Sequence, residues 1–122
     1  MTAATTTGGA TPPLRTVPEL LDWRAGLHPD QVAVEVHGVA TLTFAQWAAG
    51  ATAVAAALRH RGLGHGDRIG LLFGARDWTR FAVAYCGVLR AGGVAVPLSD
   101  QLAAGQLGYA LTHCAATAVV HG

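Results

Sequence analysis

Ser99 and Asp100 place a hydroxyl beside a carboxylate directly after the apolar run Val94-Ala95-Val96-Pro97-Leu98. A hydrogen-bond donor and an acceptor at the carboxyl end of a parallel strand stand where open α/β sheets bind ligands. These two residues are the candidate substrate-binding residues of the chain. No nucleophile with an adjacent base accompanies them, so the candidate chemistry is binding and orientation, and no catalytic residue is assigned.

Other chemical patterns resolve into structural roles. Phe73-Gly74-Ala75-Arg76-Asp77 has the strand-to-helix order that can seat an anion, but one glycine is weak, and a helix start capped by Asp77 is the preferred reading. Gly62, Gly64 and Gly66 follow a helix and precede a strand, the reverse of a dinucleotide turn, and read as a helix cap and turn. Thr5-Thr6-Thr7-Gly8-Gly9-Ala10-Thr11-Pro12 imitates a phosphate loop without its lysine and without a preceding strand.

Cys86 lies in the apolar run Phe81–Cys86, where a thiol is inert core, while Cys114 follows His113 at a helix end. The histidines at 28, 37, 60, 65, 113 and 121 include no pair spaced for a helix-borne metal site. All eight basic residues are arginine, so the chain can form neither a lysine Schiff base nor a lysine-tipped phosphate loop.

Composition narrows the class. The chain has 52% hydrophobic and 12% charged residues, about half the charge of an ordinary soluble domain, which implies that part of its apolar surface meets other protein. A net charge of +1, with charges scattered singly, excludes a nucleic-acid stripe. Two distant cysteines, no basic-apolar leader and no apolar stretch of bilayer length lead to an expectation of a reduced, cytoplasmic protein without a membrane span.

The elements that must position Ser99 and Asp100 follow from periodicity. Residues 1–14 are expected to form a flexible tail and 15–122 the folded unit. A short helix is predicted from Val17 to about Ala25, a hairpin from strands 31–36 and 40–43, and a long helix capped by Thr43 that ends at Arg61 and Gly62. Beyond it come strand 68–73, helix 77–90, strand 94–98, helix 103–113 and strand 117–120. The fold class is therefore α/β: a β-α-β-α-β parallel sheet unit with right-handed crossovers, preceded by a helix and a β-hairpin. The last strand leaves a sheet edge uncovered, an edge that invites a partner or self-association.

Three segments in this order carry a family resemblance. Thr41-Leu42-Thr43-Phe44-Ala45-Gln46-Trp47 resembles the Leu-Thr-Tyr-x-Glu-Leu segment of the AMP-binding, acyl-adenylate-forming ligases. Gly66-Asp67-Arg68-Ile69 resembles their Gly-Asp-Arg-Val turn, and Leu89–Leu98 is similar to their Leu-Lys-Ala-Gly-x-x-Tyr-Val-Pro-Leu segment. The resemblance, from about residue 17 onward, implies the N-terminal subdomain of an acyl-CoA synthetase-like ligase. It also implies that a longer protein joins a carboxylate to ATP as acyl-AMP with Mg²⁺ and passes the acyl group to the thiol of CoA or of a carrier protein.

The family's phosphate loop, metal-side glutamate, ribose aspartate and catalytic lysine belong to later segments. The chain is thus expected to bind no cofactor itself, to be inactive alone, and to have as its partner the remainder of the ligase or a homologous ligase chain. In the family the edge holding Ser99 and Asp100 is near the thiol tunnel. Other readings stay open: a split or regulatory docking module, a truncated product, and a fragment of a nonribosomal peptide synthetase adenylation domain. Ser99-Asp100-Gln101 departs from the Asp-Pro-x-Tyr-Pro continuation usual in the last of these, which favours an acyl-CoA ligase.

Overall fold

The structure, a computed structural model, describes residues 16–122. The expected tail, the expected start of the fold at residue 15 and the Thr5–Pro12 lookalike lie outside the described residues. Helix α1 (Val17–Leu27) opens with the Thr16 hydroxyl accepting the Glu19 N–H at 3.1 Å, and Pro18 occupies its first turn, where no N–H is needed. It runs two residues beyond the predicted end, until the His28 N–H closes the last turn on the Arg24 carbonyl at 2.8 Å.

Strands β1 (Val32–Val36) and β2 (Ala40–Thr43) pair antiparallel, with Val34 opposite Leu42. Thr43 then starts α2 (Phe44–His60) through a capping box. Its hydroxyl accepts the Gln46 N–H at 3.1 Å, and the Gln46 side chain accepts the Thr43 N–H at 2.9 Å. Between α2 and β3 (Arg68–Phe73) the Asp67 carboxylate accepts the Gly64 N–H at 2.8 Å and closes the turn locally.

A short 3-10 turn, Ala75–Asp77, leads into α3 (Trp78–Arg90), followed by β4 (Val94–Ser99), α4 (Ala104–His113) and β5 (Ala118–His121). Between α3 and β4 the chain reverses at Gly92, whose φ of 86° is open to glycine and strained for other residues. Asp77 does not cap α3 as predicted. Its backbone is held in the 3-10 turn by the Gly74 carbonyl at 3.0 Å, and its carboxylate faces Arg80 at 3.9 Å on the surface.

The sheet is parallel in the order β4-β3-β5, with the first of its strands in the centre. Ile69 and Leu71 on β3 are fully buried and pack in one core with Ala55 and Leu58 of α2 and Ala84 and Val88 of α3. Full burial of Ile69, Leu71 or Val88 contributes about 1.5–3 kcal/mol each. Helices α2 and α3 approach closely because small residues meet there: a Cβ at Gly87 would lie 2.5 Å from Val54. On the opposite sheet face a Cβ at Gly70 would meet Leu98, Leu111 of α4 and Val119. That face is only thinly covered: α4 contributes no buried residue, and Val119 keeps 37% exposure.

Helix α1 packs separately, through a cluster of Leu21, Ala51 and Cys86. The Trp47 indole N–H donates to the Ala82 carbonyl at 2.8 Å and ties α2 to α3 at this point. No helix among the described residues is long and apolar enough to cross a membrane.

Candidate functional site

Phe73 ends β3 and Ser99 ends β4, and the two are direct neighbours in the ladder. Beyond them opens a cleft of about 260 Å³ whose walls are Phe73, Trp78, Phe81, Pro97 and Leu98 and whose rim carries Gly74, Ser99 and Asp100. Both predicted site residues are therefore brought to one cleft at the carboxyl edge of the sheet. Both are exposed.

Their side chains are held by the loop that follows. Ser99 Oγ accepts the Gln101 N–H at 3.1 Å, and the Gln101 side-chain amide donates to Asp100 Oδ1 at 3.3 Å. Asp100 Oδ2 crosses toward β3, where a Cβ on Gly74 would lie 2.7 Å from it. Glycine at 74 is what admits the carboxylate to that side of the cleft. A negative charge in front of the turn that opens α3 disfavours an anion at Phe73–Asp77, so the strand-to-helix pattern is a helix start and not a phosphate seat.

The inner wall is aromatic. Trp78 meets Phe81 edge to face at 5.1 Å, Phe73 meets Phe81 at 6.2 Å in the same manner, and Phe81 stacks on Tyr85 at 5.8 Å. Trp78 is 55% exposed, so the row continues to the surface. Sequence reading missed the Gly74–Asp100 approach, because it joins residues a strand-helix-strand unit apart, and it missed the wall although its residues are near in sequence. The spacing Phe73, Trp78, Phe81, Tyr85 was the available signal.

Such a cleft can hold an apolar group against the ring faces and orient a polar end with the Ser99 hydroxyl and Asp100 carboxylate. Among the described residues no three His, Cys, Asp or Glu side chains group to hold a metal ion, and the chain has no lysine.

The remaining candidates stay apart from this cleft. Cys86 is fully buried between α1, α2 and α3, and desolvation pushes its thiol pKa up, against smaller opposing effects of a hydrogen bond with Trp47 and of the Arg90 charge. Cys114 is half-buried at the end of α4 and donates weakly to the Leu111 carbonyl at 3.5 Å. Arg90 binds Asp22 through two contacts, at 2.6 and 3.0 Å, and the Asp22 hydrogen bond raises its pKa further.

The comparisons with known proteins agree with these elements. The AMP-binding enzyme family matches residues 21–122. The chain is 35% identical over 88% of its length to tyrocidine synthase 2 of Brevibacillus parabrevis, covering 3% of that protein. It is 31% identical over 76% of its length to the medium/long-chain-fatty-acid-CoA/3-oxocholest-4-en-26-oate-CoA ligase of Mycobacterium marinum, covering 16% of it. Among solved structures, the N-terminal domain of FACL13 from Mycobacterium tuberculosis superimposes with a TM-score of 0.76 at 31% identity, over 86% of this chain and 26% of that one. A fatty acyl CoA synthetase of the same organism gives 0.79 at 29% identity, over 92% and 22%.

The chain thus spans a small part of the curated relatives it matches. A capped helix after a hairpin, a three-stranded parallel sheet and residues 21–122 of matching pattern lead to one statement: the chain belongs to the AMP-binding enzyme family and corresponds to the N-terminal part of its adenylate-forming ligases.

Proposed function

We propose that the chain is the scaffold part of an ATP-dependent acyl-CoA ligase and forms acyl-adenylate only together with the remainder of such a ligase. The observation that carries this reading is the family match over residues 21–122 in a chain without lysine. The scaffold motifs are present, and a lysine of the kind that the family's phosphate loop and mobile domain use is not. ATP, Mg²⁺ and the thiol are cofactors and substrate of the assembled enzyme, in a reduced, cytoplasmic setting. Ser99 and Asp100 line the approach of the thiol in that assembly, held as the Gln101 contacts hold them.

The acid substrate class is read from two observations. Ser99-Asp100-Gln101 departs from the peptide-synthetase continuation, and the fatty-acid ligase of M. marinum is among the relatives. The similarity to tyrocidine synthase 2 supports an amino-acid-adenylating assembly as the second reading.

ATP–pyrophosphate exchange with Mg²⁺ tests both. The purified chain is expected to give background exchange with fatty, aromatic and amino acids alike. Co-expression with the segment that follows this region in a full-length ligase is expected to give co-purification and exchange with fatty acids. Turnover by the chain alone overturns the scaffold reading, and exchange confined to amino acids transfers it to the peptide synthetases. In the active pair, Asp100→Asn is expected to raise the KM for the thiol while leaving pyrophosphate exchange at its level.

A further inference from the structure

Away from the sheet edge, α1, α2 and α3 enclose a groove of about 270 Å³ whose apolar lining includes Val17, Leu20, Leu21, Phe44, Trp47 and Cys86. One charged side chain reaches into it: Arg24, from the last turn of α1. Its guanidinium lies 4.9 Å from the centre of the Phe44 ring, and Phe44 in turn stacks on Trp47 at 6.4 Å. Arg24 Nε is shut off from solvent without a hydrogen-bond partner. The nearby carboxylate of α1, Asp22, is turned to Arg90 at 2.6 Å, and among the described residues Arg24 pairs with no carboxylate.

An apolar groove near the lower size limit of small-ligand pockets, with a single cation and unused donors, is complementary to one kind of molecule. We propose that this groove binds a small monocarboxylate with an unbranched apolar tail. The tail lies against Leu20, Phe44 and Trp47, and the carboxylate accepts from the Arg24 guanidinium in charge-assisted hydrogen bonds, which a partly desolvated site strengthens. The site is separate from the Ser99–Asp100 cleft: the two share no lining residue. It does not rest on the scaffold reading, since it uses only residues of this chain. Arg24 also favours the α1 C-terminus through its charge, a role indifferent to any ligand.

Isothermal titration calorimetry of the 122-residue chain with octanoate, 1-octanol and octylammonium separates ligand binding from that helix-end role. Octanoate is expected to bind at least about tenfold more tightly than 1-octanol, with octylammonium weakest, the preference that one charge-assisted pair supplies. Arg24→Leu is expected to lower octanoate affinity about tenfold, to the level of the alcohol, while alcohol binding stays as it was. Arg24→Lys keeps the charge but loses the guanidinium fork over Phe44, and is expected to bind octanoate more weakly than the parent chain while still preferring it to 1-octanol. Equal binding of acid and alcohol by the parent chain, binding of neither, or an acid preference that survives Arg24→Leu each overturns the proposal. The comparison of acid with alcohol on the unaltered chain decides the matter even if Arg24→Leu does not fold.

Discussion

Cys86 shows how a single residue's surroundings fix its chemistry. A thiol closed in by Leu21, Ala51 and Trp47 ionises only by placing a charge among apolar groups, so its pKa stands above the ordinary value. The folded state therefore holds the proton more tightly than the unfolded chain. That difference contributes stability at neutral pH and is lost as pH rises past about 8.5, where the unfolded thiol begins to ionise. Thermal melts between neutral and alkaline pH are expected to show a falling Tm for the parent chain and a shallower fall for Cys86→Ala. The same burial predicts that a maleimide modifies Cys114 first and reaches Cys86 on unfolding, which peptide mass spectrometry reads directly. Asp77 is the residue where sequence chemistry misled. An acidic residue before a helix predicts a cap, but the 3-10 turn from Gly74 leaves Asp77 at φ −103° and ψ 24° instead of the extended backbone of a cap, and the carboxylate turns outward to Arg80.

At the level of elements, the capping box of α2 is the clearest case of a local code carried through to structure. Thr43 and Gln46 satisfy each other's backbone N–H groups at the joint between hairpin and helix. Thr43→Ala is expected to destabilise the chain by about 1 kcal/mol in urea unfolding, with an unchanged dependence on denaturant. This element, the hairpin and the strand-helix alternation were legible because each depends on residues near in sequence: period-2 valines, an i, i+3, i+4 apolar face, glycines at the reversals. The strand order was not legible, since the placement of β3 between β4 and β5 follows from packing Ile69 and Leu71 under two helices at once. The candidate site divides the same way. Ser99 and Asp100 could be named from their place after a strand, whereas the Gly74–Asp100 approach and the Arg24 groove join distant segments through tertiary contact.

For the molecule as a whole, the two sheet faces are unequal. One is sealed by α2 and α3 over fully buried Ile69 and Leu71, and the other presents Val119 and the thinly packed α4. Under the scaffold proposal this is the face on which the remainder of a ligase would dock. Val119→Lys separates docking from folding. The long side chain can reach water from a position already 37% exposed, so urea stability of the chain is expected to change by about 0.5 kcal/mol or less, while co-purification with the following ligase segment is expected to fail. Loss of stability equal to a core substitution would show instead that this face is closed in the chain itself. The central position of β3 also bears on the order of events during synthesis. The strand that emerges first must wait, unpaired on both sides, until one helix and then another has been made and folded back. The sheet therefore cannot zip up from a local hairpin, and each pairing closes a long loop before it returns any hydrogen bonds. Pairing of β4 and β5 with β3 is accordingly expected to follow formation of the local β1–β2 hairpin, since only α3 and α4 bring those strands back to it.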